Sequence, residues 1–81
     1  MKVRFSRSPK ILYLDEVPFK VRNFKIETIA NCVRDHLRTD NEIASRKIAN
    51  LIIERRRILG DEFEIEDDFI EKVMKNASNT T

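Results

Sequence analysis

The chain has 81 residues and a mass of 9.6 kDa, and its 41% hydrophobic content can build one modest core but not a second folded unit. Charged residues make up 37%, well above the roughly 25% usual in soluble domains, while 7% aromatics and regularly spaced Ile, Leu and Val argue against a disordered chain. One Gly excludes a glycine-rich phosphate cradle and one His with one Cys excludes the four-ligand zinc patterns, so neither metal nor cofactor is expected and the reading is non-enzymatic.

Lone Cys32 cannot close an intramolecular disulfide, no stretch approaches the roughly 18 apolar residues of a membrane span, and Met1 to Arg7 alternates apolar with polar residues where a secretion signal would be continuously apolar. The expectation is a cytoplasmic protein without membrane contact. Charge is unevenly spread. Residues 1–60 carry fourteen Lys or Arg against seven Asp or Glu, net +7, whereas residues 61–81 carry seven acids against Lys72 and Lys75, net −5. A basic body precedes an acidic end, with the change at Gly60.

Period-two alternation marks strands in the first third: Val3 and Phe5 between polar residues, then Ile11 to Leu14, then Val17, Phe19 and Val21. A hairpin of about 10–14 with 17–22 is predicted, with a third strand at 2–6, and Pro18 belongs on an edge because it lacks an N–H. From residue 24 the period becomes helical. Ile26, Ile29, Ala30, Val33 and Leu37 share one face of a helix at about 24–38, with Asn23 as its N-cap. Thr39 and Glu42 have capping-box spacing, which predicts a second helix at about 41–59. Its apolar stripe is Ala44, Ile48, Leu51, Ile52, Ile58 and Leu59, flanked by Ile43, and it ends at a left-handed Gly60. Phe63 and Ile65 alternate with glutamates in a short extended piece. Asp67 or Asp68 then caps a third helix at about 67–77, with Phe69, Ile70, Val73, Met74 and Ala77 on one face. The predicted fold is α+β: an N-terminal hairpin or three-stranded antiparallel sheet followed by three helices, one compact domain over 1–77, and a flexible polar tail at 78–81.

Cys32 and His36 are one helical turn apart, but two such groups make neither a zinc site nor, without an oxyanion hole and a cleft, a catalytic pair. They are expected to flank the helix core. Arg55 falls within the apolar stripe of the second helix, where an unpaired charge is costly, so it is predicted to form a structural ion pair with the acidic segment after Gly60. Arg46, Asn50, Ile53 and Arg57 form a separate stripe, read as a partner-binding surface.

Lys20 and Arg22 project to one side of their strand, Phe19 and Val21 to the other. This strand, followed at once by two helices, resembles the ribbon-helix-helix family of DNA-binding proteins over residues 17–59. The resemblance implies a dimer whose paired strands lie in the major groove, with Lys20 and Arg22 outward toward the bases and the start of the second helix toward phosphate. Two function classes follow. The first is a nucleic-acid-binding regulator of the transcription-factor kind, DNA before RNA, a homodimer using Lys20, Arg22, Arg4, Arg7 and Lys10. The second is a protein–protein adaptor or inhibitor using helix faces and the acidic segment. They differ in whether the late carboxylates cover the basic strand face.

Overall fold

The computed structural model describes residues 1–78. Its elements in chain order are β1 (Lys2–Arg7), β2 (Lys10–Leu14), β3 (Val17–Lys20), α1 (Ile26–Leu37), α2 (Glu42–Leu59), β4 (Glu62–Glu64) and α3 (Asp67–Ser78). The fold is α+β, with three strands of the sheet first and three helices following, as predicted, and a fourth strand between α2 and α3. The tail residues 79–81 lie outside the described residues, and Ser78 belongs to α3.

The sheet is antiparallel in the order β3-β2-β1-β4. Alternation sends Val3, Phe5, Leu12, Leu14 and Phe63 to one face, where they are buried against the helices, and Arg4, Tyr13, Lys20, Glu62 and Glu64 to the other. The short extended piece after Gly60 is thus a fourth strand, in register Lys2↔Glu64 and Arg4↔Glu62. Pro18 lies on edge strand β3, opposite Tyr13. The β2–β3 connection is a two-residue turn, with Asp15 and Glu16 both at positive φ (53° and 69°). That handedness matches the twist of the strands it joins.

Several ends depart from the sequence reading. α1 starts at Ile26, and its N-cap position is Lys25, which gives no side-chain cap; Asn23 lies further upstream and accepts hydrogen bonds from the Lys25 amide (3.0 Å) and the Thr28 hydroxyl (2.7 Å). The N-cap of α2 is Asn41, accepting from the Ala44 amide, and Thr39 instead accepts from the Asn41 amide. An amide oxygen in place reaches the orphan N–H as well as a hydroxyl would, so the capping box is not formed. Gly60 has positive φ (98°) but an extended ψ of −160°, and the left-handed C-cap belongs instead to Arg38 at the end of α1. Asp67 and Asp68 occupy the first turn of α3, where their charge suits the helix dipole, and do not cap it.

The buried line of α2 is Ala44, Ser45, Ile48, Ala49 and Ile52. Ser45 and Ala49 are buried on this line, while Leu51 is only half-buried. Ile58 and Leu59, predicted on the stripe, are 67% and 57% exposed. An 18-residue helix runs about 27 Å and outlasts the strands it covers, so its last turn overhangs the core. Ile65 and Ile70 from the C-terminal segment complete the core, with Phe69, Val73 and Met74 packed against it. The side chain of Ala77 lies outside the described residues.

Candidate nucleic-acid interface

The sheet sorts charge along its strands. Leu14 pairs with Val3, and Glu64 with Lys2, so the Asp15–Glu16 turn and the β4–α3 junction, with Glu64, Glu66 and Asp67, share one end. At the other end Arg7 pairs with Lys10, Ile11 with Lys20, and the Val21 amide donates to the Lys10 carbonyl at 3.1 Å. This brings Arg7, Lys10, Lys20 and Arg22 together.

The acidic segment neutralises only part of this set. Asp61 meets Arg7 (3.3 Å) and Arg56 (2.9 Å), and Glu16, with Glu62 in register alongside, faces Arg4. The Arg4 guanidinium also lies 3.8 Å over the Tyr13 ring. Arg4 and Arg7 are therefore engaged. Among the described residues Lys10, Lys20 and Arg22 enter no ion pair, and all three are exposed. The carboxylates that meet β1's cations are Asp61, brought to Arg7 where the chain enters β4 beside β1, and Glu16 of the β2–β3 turn, and neither pairs with Lys10, Lys20 or Arg22.

Two recesses flank this end. One, of about 570 Å³, lies between the β1–β2 turn and the end of α2, with Arg7, Lys10, Arg56 and Arg57 around half-buried Phe24 and Ile53, and with Asp61 in its wall. The other, of about 620 Å³, runs between β3 and α1 past Lys20, Arg22, Cys32 and Asp35. The partner stripe of α2 is divided accordingly: Ile53 and Arg57 line the first recess, and exposed Arg46 and Asn50 continue along the helix.

Arg56 and Phe24 are the site residues that the sequence reading missed. The Arg56 guanidinium packs on Phe5 (4.4 Å) and Phe24 (4.7 Å) while its Nε donates to Asp61. The hydrogen bond from Arg56 holds the Asp61 carboxyl below its ordinary value. A signal was present, since Arg56 continues the Ile48–Ile52 line at spacing four. Arg55 bonds the Glu64 carbonyl (3.2 Å) and pairs with Glu66 (3.3 Å), anchoring the acidic segment. Glu66 is lowered in turn, by its own backbone N–H first and then by Arg55.

Cys32 and His36 share no hydrogen bond among the described residues. Burial, and then the charge of Asp35, push the Cys32 thiol up to about 11, far from a thiolate at neutral pH. His36 shares a 2.8 Å hydrogen bond with Asp15 and meets Phe19 edge-on.

The strand that resembles a ribbon-helix-helix ribbon already has a partner in its own chain, β2. Because the Val21 amide points to β2, alternation turns the Lys20 backbone groups to the free edge. No helix of the described residues is long and apolar enough to cross a membrane. No protein family matches this chain, and neither a curated protein nor a solved structure is significantly similar to it.

Proposed function

We propose that this protein is a non-enzymatic regulator that binds nucleic acid through the end of its sheet carrying Lys10, Lys20 and Arg22, extended by Arg7, Arg56 and Arg57. The observation that carries the reading is the placement of β4: the acidic segment lies along β1, leaving the cations of β2 and β3 without carboxylates. Lys10, Lys20 and Arg22, gathered at one end of the sheet without an ion pair among the described residues, suit a partner that repeats negative charge along its length. Arg4 falls outside the surface because it lies further along β1, opposite Tyr13 and toward the Asp15–Glu16 turn.

Binding of this kind releases counterions, so affinity for a labelled polynucleotide falls steeply between low and physiological salt. The Lys20→Ala, Arg22→Ala double variant is expected to lose about tenfold or more in affinity and to flatten the salt slope by about 1.5, close to two phosphate contacts. Lys72→Ala with Lys75→Ala, on α3, leaves both unchanged. Equal losses in the two double variants, or affinity independent of salt, overturn the reading.

A second reading, a protein–protein adaptor, rests on Ile58 and Leu59, adjacent and exposed at the end of α2. It requires that replacing both by Ser abolish partner binding while polynucleotide affinity is unaffected.

A further inference from the structure

Granting the nucleic-acid reading, on which this rests, we infer that the recess between the β1–β2 turn and the end of α2 receives an unpaired base, which makes the ligand a single-stranded polynucleotide and not a duplex. The recess joins two kinds of surface. Arg7, Lys10, Arg56 and Arg57 supply positive charge, whereas Phe24 and Ile53 supply half-buried apolar area. A simple anion or a phosphate backbone uses only the first kind. A ligand that uses both carries negative charge next to a flat apolar group, as each nucleotide does.

Arg56 is prepared for such a group. Its guanidinium is held against Phe5 and Phe24 and oriented by Asp61, so it enters the recess with its rotamer fixed. Guanidinium planes and aromatic rings are the usual stacking partners of unpaired bases. The one carboxylate of the recess, Asp61, is already engaged by Arg7 and Arg56, so it adds little repulsion. The groove beside β3 is less suited, because Asp35 stands in its wall without an ion-pair partner among the described residues.

Duplex readers push a helix or a ribbon outward into a groove, and the bases of a duplex are stacked away from the protein. An open recess of about 570 Å³ suits the reverse: it offers the apolar area of Phe24 and Ile53 to a base that has left its stack. Lys10 belongs both to this recess and to the exposed strand end, so a strand whose phosphates follow Arg22 and Lys10 delivers its next base to Phe24 and Ile53.

The test titrates the full chain, at one salt concentration, with a twelve-nucleotide oligo-dT, the corresponding oligo-rU, an abasic strand of the same length and a duplex DNA of the same length. The expected result is that both base-bearing single strands bind about fivefold or more tighter than the abasic strand and the duplex, the lower end of the usual stacking contribution. In NMR spectra the Ile53 methyl and Phe24 ring resonances move with the base-bearing strands and stay in place with the abasic strand. Equal or tighter binding of the abasic strand or the duplex, or unmoved Ile53 and Phe24 signals, overturns the inference and leaves the nucleic-acid reading standing. Failure of all four to bind at low salt overturns both.

Discussion

Ser45 lies between α1 and α2, only 1% exposed, and its hydroxyl finds no hydrogen-bond partner among the described residues. A buried hydroxyl left unpaired costs about 1–3 kcal/mol, and Ala is the better helix former. Ser45→Ala is therefore expected to raise stability by about 1 kcal/mol, read as a higher denaturant midpoint at unchanged m-value. Acid acts on a different set of residues. The Arg56 hydrogen bond lowers Asp61, and its own backbone N–H together with Arg55 lowers Glu66. Burial pushes Asp15 up, but the Lys2 amide and His36 together outweigh it and leave Asp15 lowered. A carboxyl whose folded value is depressed stabilises fully above its ordinary value, here 3.8 or 4.5, and loses that contribution as pH falls through the lower folded value. The thermal midpoint should thus stay level from neutral pH down to about 5 and then decline, with Asp61→Asn removing part of the decline. At this scale the sequence spoke unevenly. Arg55 was legible because a charge inside an apolar stripe demands a partner. Arg56, one residue on, was not, since nothing local says that its guanidinium will lie on two phenylalanine rings contributed by β1 and by the segment before α1.

The strands and helices were legible from periodicity alone, because alternation and a 3.6-residue repeat are local properties. Their ends were less so. Asn41 took the capping role that the sequence reading gave to Thr39, and Asn23, expected as the N-cap of α1, bonds the Lys25 amide ahead of a helix that starts at Ile26, since several polar side chains compete for the same orphan N–H groups. The partner of β4 was not legible at all: Phe63 and Ile65 announce an extended segment, but only the folded sheet places it beside β1. That placement makes the C-terminal segment part of the core. Removing residues 61–81 strips away buried Phe63, Ile65 and Ile70, each worth about 1.5–3 kcal/mol, and leaves Arg55 without Glu66. The loss rivals the whole stability of a small domain, about 5–15 kcal/mol. A 1–60 fragment is accordingly expected to unfold or aggregate, visible as lost near-UV dichroism and rising light scatter. A fragment as thermally stable as the full chain would show that the segment is dispensable.

For the molecule as a whole, the change of sign along the sequence becomes only in part a division in space: Glu64, Glu66 and Asp67 share one end of the sheet with Asp15 and Glu16, while Asp61 sits with Arg7 at the other. The basic body and acidic end were legible; their mutual arrangement depended on strand order, which composition does not encode. Strand order also bears on assembly. The two open edges are β3, which presents Lys20 and a Pro18 without an N–H, and β4, three residues long and bearing Glu62 and Glu64. Short charged edges resist pairing with their like. The free protein is expected to scatter light as a 9.6 kDa monomer across a dilution series. A dimer that persists on dilution would favour the intermolecular ribbon implied by the resemblance. The position of β1 has a consequence for synthesis. It lies inside the sheet, with β2, the next strand along the chain, on one side and β4, the last strand of this sheet to be made, on the other. Until β4 arrives, β1 holds an open hydrogen-bonding edge beside Val3 and Phe5, the kind of surface on which nascent chains pair wrongly. The sheet therefore closes only after both α1 and α2 have been made, and a product cut short before β4 keeps that edge open.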